Sequence, residues 1–313
     1  MKQLVDPHGR LIHKVRFSLL DACNFRCRYC MPSDPKFLAS HKLLTREEIF
    51  RLAKILNDHG IDELRLTGGE PTLRSDFMDI AKDLSTLPYK KFGLTTNGLT
   101  LLPLLDELQK TKIKNINFSL DSLDKDVFFE MTKNNKLEKV KKSVLKAKEL
   151  GFNVKINVVM MRQSNIHELF DFAEFSAKYD IEVRFLELMR IGVVRKNFDE
   201  EFVSADEAIS KLKEKYSLEN LSRKVDDTSF NFKLNNGANI GFIASESKPF
   251  CGGCSRLRIS ADGIIRPCLM MNEGTSLKGK NQEEVLSILH EIMKLKPIER
   301  IFEVKQSMNE IGG

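Results

Sequence analysis

The six cysteines of this chain fall into two groups of three: Cys23, Cys27 and Cys30, spaced C-x3-C-x2-C, and Cys251, Cys254 and Cys268, spaced C-x2-C-x13-C. Three converging thiolates are read first as metal or redox chemistry. Structural zinc takes four ligands, and the first group has no fourth cysteine or well-placed histidine, His41 being the nearest downstream. On a cube of four irons, three thiolates leave one iron open for a substrate or cofactor. On spacing alone, zinc stays open as the alternative. In the second group, Arg256 to Ser260 and Ile264 to Cys268 read as strands joined by the loop Ala261-Asp262-Gly263. That pairing returns Cys268 to the neighbourhood of Cys254. It also sets Arg258 opposite Arg266, and like charges facing across a strand pair call for a bound anion, or for both side chains in water.

Such ligands need a scaffold, and 313 residues with 42% hydrophobic content suffice for one large domain or two ordinary ones with a packed core. No apolar run reaches membrane-spanning length, and Met1 to Arg16 carries charges where a signal peptide needs apolar residues. The expectation is a cytoplasmic protein with no membrane contact, where six cysteines are not a disulfide framework. A net charge of +6 is compatible with an anionic partner but does not choose one.

From Val15 to Met189, short β-rich runs alternate with helical stretches, the pattern of βα units round a parallel sheet. Strands read at Val15 to Leu19, Glu63 to Thr67, Phe92 to Thr95, Asn115 to Leu120, Asn153 to Val159 and Glu182 to Leu188. Between them, Thr45 and Glu48 open a capped helix whose apolar face is Ile49, Leu52, Ala53 and Leu56 and which stops at Gly60. Further helices read near Leu101 to Lys110, Leu137 to Leu150 and Ile166 to Lys178. Stepping by two, Arg16, Ser18, Arg65, Thr67, Gly93, Thr95, Asn117, Ser119, Lys155, Asn157 and Arg184 share one face, and Val, Leu, Ile and Phe hold the other. If helices cover the apolar face, the polar set points inward. Buried cations need water or a bound anion. The fold class expected is α/β, an incomplete (βα)6 TIM-like barrel with a ligand-filled lumen. A half-exposed sheet with its polar face in solvent is the alternative.

After about residue 195 the rhythm changes. Ser204 and Glu207 open another capped helix, and Phe230, Phe232 and Leu234 lead through Asn235-Asn236-Gly237 to Ile240, Phe242 and Ile243, a hairpin pattern. The expected organisation is a partial barrel over residues 1–195 and a smaller C-terminal α+β domain over 196–313 carrying the second cysteine group.

Cys23-Asn24-Phe25-Arg26-Cys27-Arg28-Tyr29-Cys30 resembles the signature of radical S-adenosylmethionine (SAM) enzymes, and Thr67-Gly68-Gly69-Glu70-Pro71 resembles their glycine-rich strand end. In that setting the glycines would let the backbone approach the ligand. With both triads, the run Cys251-x-x-Cys254-x-Arg256-x-Arg258 and the terminal Gly312-Gly313, nearly the whole chain resembles the GTP 3′,8-cyclase family of molybdenum cofactor synthesis. The resemblance implies two 4Fe–4S clusters and SAM, whose radical takes the 3′ hydrogen of GTP. It implies that Cys23, Cys27 and Cys30 hold the first cluster and Cys251, Cys254 and Cys268 the second, with Tyr29, Gly69, Ser119 and Met189 touching SAM. It further implies GTP contacts from Arg16, Arg65, Thr95, Lys155, Arg184, Arg256, Leu257 and Arg258, and a tail, Gly312 and Gly313, reaching into the site. One position departs from the pattern: Glu63 stands where the resemblance leads one to expect a lysine. The partners implied are GTP, an electron-donor protein, the downstream cyclic pyranopterin monophosphate synthase and, as an oligomeric option, a second copy in a homodimer.

Three rival readings stand beside it. A peptide-modifying radical enzyme with an auxiliary cluster usually spends more C-terminal cysteines. An RNA-modifying one should add a basic, aromatic-bearing module, whereas the few aromatics after residue 195 sit in hairpin patterns, so no stable nucleic-acid partner is expected. A non-catalytic zinc or electron-transfer protein is the third.

Overall fold

Alternation of apolar and polar residues decides which face of each central strand the helices cover. In the computed structural model, which describes residues 3–311, these strands are β1 (Lys14–Ser18), β2 (Glu63–Thr67), β3 (Lys91–Thr96), β4 (Ile113–Ser119), β5 (Asn153–Val159) and β6 (Glu182–Leu186), adjacent and parallel in chain order. Their connections carry α1 (Arg46–Asp58), α2 (Phe77–Leu84), α3 (Leu105–Gln109), α4 (Lys125–Thr132), α5 (Leu137–Glu149) and α6 (Leu169–Tyr179). Val15, Phe17, Leu64, Leu66, Leu94, Ile116, Phe118, Ile156 and Val183 are buried in one continuous core.

The helix starts follow local chemistry. Thr45 accepts from Glu48 N while the Glu48 carboxylate takes Thr45 N, a reciprocal cap worth roughly 1 kcal/mol. The chain turns out of α1 through Gly60 at φ 97°. Helices α2 and α4, which periodicity did not single out, are only eight residues each. The stretches expected at Leu101 and Ile166 begin as 3-10 turns before becoming α-helical.

The later part of the chain supplies α7 (Ala205–Lys213), β7 (Leu218–Asn220), β8 (Phe230–Leu234), β9 (Asn239–Ile243), β10 (Arg256–Ile259), β11 (Ile264–Arg266), β12 (Thr275–Ser276) and α8 (Gln282–Lys294). The sheet runs β12-β11-β10-β1-β2-β3-β4-β5-β6-β9-β8-β7, with β10 parallel to β1 and β9 parallel to β6. Eight parallel strands therefore lie side by side, two more than the six anticipated. The six alone would leave the outer edges of β1 and β6 with unpaired backbone groups, and the later strands cover both. Segments beyond residue 196 are thus built onto the barrel sheet at its two sides.

Register matters more than strand count. Arg266 lies across from Arg258, Arg258 from Arg16, Arg16 from Arg65 and Arg65 from Gly93, so one rung crosses five strands with four arginines on it. A methyl group on Gly93 would come within 2.9 Å of the Arg65 guanidinium, so the glycine leaves room for that side chain. No helix among the described residues is long and apolar enough to cross a membrane.

Candidate active site

All six cysteines line one cavity of about 320 Å³, together with Arg16, Arg184, Arg256 and Arg258. Two groups more than two hundred residues apart in sequence meet there because β10, which follows Cys254, pairs with β1, which precedes Cys23.

The first triad hangs in the loop after β1. Arg26 N donates to Thr132 O (2.8 Å) and Arg28 N to Met131 O (3.0 Å), tying the loop to the C-terminus of α4, while Cys30 N closes a turn on Cys27 O (2.9 Å). The loop's near side is zipped to the end of β2, where Gly69 N donates to Leu20 O (2.7 Å) and Glu70 N to Ala22 O (2.9 Å). A Cβ on Gly68 would overlap the Leu20 carbonyl, and one on Gly69 the Ala22 carbonyl. Both glycines are therefore demanded by the chain's own backbone as well as standing on the cavity wall, where a ligand can approach them. Glu70 is fully buried and is a bolt: its carboxylate accepts from Thr72 Oγ1 (2.5 Å), Thr96 Oγ1 (2.7 Å) and Asn97 N (2.6 Å), joining the ends of β2 and β3.

Burial raises all three thiols of this triad. It pushes Cys23 up to about 11, aided by the nearby Glu70 carboxylate, and Cys30 up to about 12, aided by Cys23 and Asp121. Cys27 is likewise raised well above the ordinary thiol range by burial and then Asp121. At Cys23 burial outweighs the nearby Arg26 guanidinium, so these thiols hold their protons until a metal takes their place.

The second triad differs. Burial works to raise Cys254, but the cations Arg256 and Lys296 outweigh it and hold the thiol down at about 6. Lys296 Nζ, itself buried, donates to Cys254 Sγ (3.4 Å), Arg256 O (2.7 Å) and Pro267 O (2.8 Å), and Arg256 Nη2 approaches the same sulfur at 3.5 Å. Arg10 Nη1 donates to Cys251 O (2.6 Å), and Met270 N to Cys268 Sγ (3.4 Å). Cys251 is raised, first by burial and then by its two partner thiols.

Around the triads, Tyr29, Gly69, Ser119 and Met189 line the cavity, as do Arg16, Thr95, Arg184, Arg256 and Arg258. Burial lowers Arg16 well below the usual arginine range, with Arg258, Arg256 and Arg65 adding like-charge repulsion. Arg65 and Arg258 are each pushed down to about 10, again by burial first. Arg65 faces a second, polar cavity of about 120 Å³, shared with Arg16, Arg184 and Arg256, and donates to Leu94 O at 2.9 Å. Glu63, which stands where the resemblance leads one to expect a lysine, lines that smaller cavity between Lys14 (3.9 Å) and Lys91 (3.7 Å).

Two candidates sit apart. Leu257 is completely buried in the core between Arg256 and Arg258, so its side chain points away from the lumen and only its backbone lies on the strand beside it. Lys155 lines neither cavity and is paired with Glu182 at 2.7 Å, which also takes Arg184 at 2.5 Å. Gly312 and Gly313 lie outside the described residues. The chain leading to them is anchored at the first triad: Met308 N donates to Cys30 O (3.1 Å), and Met308 and Asn309 line the cavity.

Three residues had escaped sequence reasoning. Asp121 accepts from Tyr29 Oη (2.6 Å) and Val159 N (2.9 Å), and burial lifts it to about 6. Continuing the inward parity Asn117, Ser119 by one step would have found it. Asn97 Nδ2 reaches Asn24 Oδ1 (2.7 Å) and lies 3.7 Å from Cys23 Sγ, and like Lys296 it carries no sequence signal.

The cavity is chemically unfinished. Thr67 Oγ1, Asn157 Oδ1 and Asn309 Oδ1 line it buried and without a hydrogen-bond partner among the described residues, and each such atom costs about 1–3 kcal/mol unless a ligand or water satisfies it. Six free thiols, orphaned polar atoms and several cations fit soft metal clusters and an anionic ligand.

Residues 17–176 match the family described as Radical SAM superfamily, which sets the class of the barrel and of its first triad. Residues 181–301 match Molybdenum Cofactor Synthesis C. Curated GTP 3′,8-cyclases are similar along the chain: one from Synechocystis is 43% identical over 100% of this chain and 95% of its own length, and one from Clostridium botulinum is 37% identical over 99% and 100%. A third, from Aquifex aeolicus, is 38% identical over 90% of this chain and 89% of its own. The chain belongs to the GTP 3′,8-cyclase family. Among solved structures, Streptococcus suis SuiB bound to S-adenosylmethionine superposes with a TM-score of 0.64 at 16% identity, covering 89% of this chain and 67% of that one. That likeness concerns the fold alone. Radical SAM membership implies a 4Fe–4S cluster and SAM.

Proposed function

We propose that this enzyme joins C3′ of the ribose of GTP to C8 of its guanine, yielding (8S)-3′,8-cyclo-7,8-dihydroguanosine 5′-triphosphate, the first step of molybdenum cofactor biosynthesis. The observation that carries this reading is the meeting of both cysteine triads and four arginines on one cavity. Cys23, Cys27 and Cys30 would hold a cluster with an open iron, and Cys251, Cys254 and Cys268 a second. Among the described residues no three or more His, Cys, Asp or Glu stand close enough together to ligate a single metal ion. Thiols spaced round a four-iron cube need not stand as close as the four ligands of one zinc, where sulfurs are about 3.8 Å apart.

One-electron reductive cleavage of SAM to a carbon radical is the chemistry that a cluster on the first triad supplies when bound. The chain's part is binding, orientation and exclusion of water. Tyr29, held by Asp121, with Gly69, Ser119 and Met189 would seat SAM. Arg16, Arg184, Arg256 and Arg258 would neutralise the triphosphate, which in turn offsets their mutual repulsion. Arg65 and Thr95 would extend that contact, while Lys155 would have to leave Glu182 to join it. Phe25, Met31, Phe250 and Met270 give the cavity apolar walls, which limit quenching of a radical by solvent. The raised thiols of the first triad must release their protons as iron binds, so cluster assembly there is favoured by higher pH.

An electron-donor protein and a synthase that makes cyclic pyranopterin monophosphate from the product are the partners this reading implies. The six unpaired cysteines suit a reducing, cytoplasmic setting. Anaerobic reconstitution followed by iron analysis and turnover tests it. About eight irons per chain, and 5′-deoxyadenosine formed with GTP but not with ATP, is the expected result. Zinc in both sites, or equal 5′-deoxyadenosine without GTP, would overturn it.

A further inference from the structure

Arg300, in the segment that follows α8, lines the main cavity close to the second triad. Arg10 Nη1 fastens that segment there by donating to both Cys251 O (2.6 Å) and Pro297 O (2.9 Å), and the charge of Arg300 works against the burial that raises the Cys251 thiol. The guanidinium is held from behind. Its Nη2 donates to the carboxylate of Glu246, and the backbone N–H groups of Glu246 and Ser247 donate to Glu187 Oε2 (2.8 Å each). Glu187, 2% exposed, also takes Ala205 N (2.8 Å), so the acid behind Arg300 is bolted to the start of α7. The side chains of Arg300 and Glu246 are 11% and 9% exposed. Among the described residues Glu246 is the one hydrogen-bond partner of this guanidinium, and Arg300 Nε is buried with none.

A fork of five N–H groups with one partner has donors to spare, and charge decides what they suit. Arg300 and Arg190 stand against Glu246 and Glu187, so the local charges balance. A phosphate gains more at Arg16, which has Arg65, Arg256 and Arg258 for neighbours. A neutralised donor suits an uncharged acceptor instead. Lys296, the other cation buried at this triad, directs its three N–H groups at Cys254 Sγ, Arg256 O and Pro267 O, which leaves Arg300 as the donor with capacity there. Phe250, Leu269 and Met270, next to Cys251 and Cys268 in sequence, line the same cavity and give a flat ring an apolar seat. We propose that Arg300 determines which base the site accepts by donating to O6 of guanine. The inference rests on the GTP reading given above and names the residue that recognises the base. Adenine carries an amino group where guanine carries O6, so an adenine nucleotide sets donor against donor. A buried donor deprived of its acceptor costs more than the bond it loses, so the wrong base is rejected more strongly than the right one is favoured.

The test is isothermal titration of the reconstituted full chain with four nucleotides. GTP and inosine 5′-triphosphate carry O6, whereas ATP and the triphosphate of 2-aminopurine riboside do not. The parent should bind the first two at least about tenfold more tightly than the last two. Arg300→Met should lose about tenfold on GTP and inosine triphosphate and leave the other two as in the parent, so that the preference collapses. Arg300→Lys, which keeps a cation for Glu246 and one flexible donor, should retain part of the preference at the parent's iron content. An unchanged GTP-to-ATP ratio in Arg300→Met would overturn the proposal. So would an equal loss for all four nucleotides in both variants, which would make Arg300 a structural residue. A parent that binds ATP as tightly as GTP would bring down the GTP reading together with this inference, whereas a preference that survives in Arg300→Met brings down the inference alone.

Discussion

Arg258 of β10 lies directly across from Arg16 of β1 on adjacent parallel strands, and the same rung continues to Arg266 on one side and Arg65 on the other. Strand neighbours of like charge disfavour the pairing they share, and here burial adds to the repulsion. The arrangement is built for an anion.

Replacing Arg16 with Met should therefore move two measurements in opposite directions. The ligand-free protein should gain stability, with Tm rising by about 1–3 °C as buried repulsion is relieved. The Kd for GTP should rise at least tenfold, the loss of one charge-assisted contact of about 1.5–3 kcal/mol. Differential scanning calorimetry and isothermal titration on the same preparation check both. A fall in Tm with unchanged affinity would make Arg16 a structural residue.

Gly69→Ala should be disabling through folding before chemistry. The added methyl overlaps the Ala22 carbonyl, a rigid backbone atom, so β2 and the cysteine loop cannot keep their two hydrogen bonds. A loss of about 2–4 kcal/mol in urea unfolding, with poor iron loading of the first triad, is expected. Wild-type stability in this variant would refute the backbone reading and leave the glycine to a ligand.

Lys296→Met should affect the second triad and spare the first. It removes a buried cation that meets a thiol and two carbonyls at once. Neighbours of metal ligands of this kind are worth roughly 10–100-fold in metal affinity. Reconstituted protein should hold about half the iron of the parent, with the spectrum of the SAM-binding cluster retained. Full iron content would show that Lys296 matters only for packing.

Asp226 should make a pH-dependent contribution on the acid side. Burial alone would raise its carboxyl, but Lys14 (2.7 Å), His13 (2.8 Å) and Ser255 (3.0 Å) hold it well below the ordinary carboxylate range. A group depressed in the folded state stabilises it above the unfolded pKa, about 3.9, and loses that contribution as pH falls through the folded value. Asp226→Asn should thus lower Tm at pH 7, by a contribution of about 1 kcal/mol, and the gap from the parent should narrow below about pH 4. A gap constant from pH 7 to 3 would contradict the ionic origin.

Much of the site could be read from residue order, and the places where reading failed are physically instructive. Strand parity located the inward arginines, and one more step along β4 reaches Asp121. The hairpin carrying Arg258 and Arg266 has the expected register, because a three-residue loop leaves little freedom in pairing. Leu257 is a GTP contact that the family resemblance implies, and alternation sends its side chain into the core, leaving only its backbone beside the lumen. Lys155 satisfied parity too, but Glu182 on the next strand captures it, and a long flexible side chain goes to the nearest opposite charge. Glu63 was read as a missing cation, whereas Lys14, across from it on β1, and Lys91, across from it on β3, stand beside it.

The cysteine spacing, the polar face of six strands and the capped helices belong to the sequence by itself, since ligand number, side-chain alternation and end-capping are local rules acting over a few residues. That the two triads share one cavity, that strands from the C-terminal region cover both sheet edges, and that Lys296 lies against Cys254 were decided only by the tertiary structure. Those relations join residues tens to hundreds of positions apart. They arise because unpaired strand edges and buried charges must be satisfied by whatever the folded chain brings beside them, which no local pattern specifies.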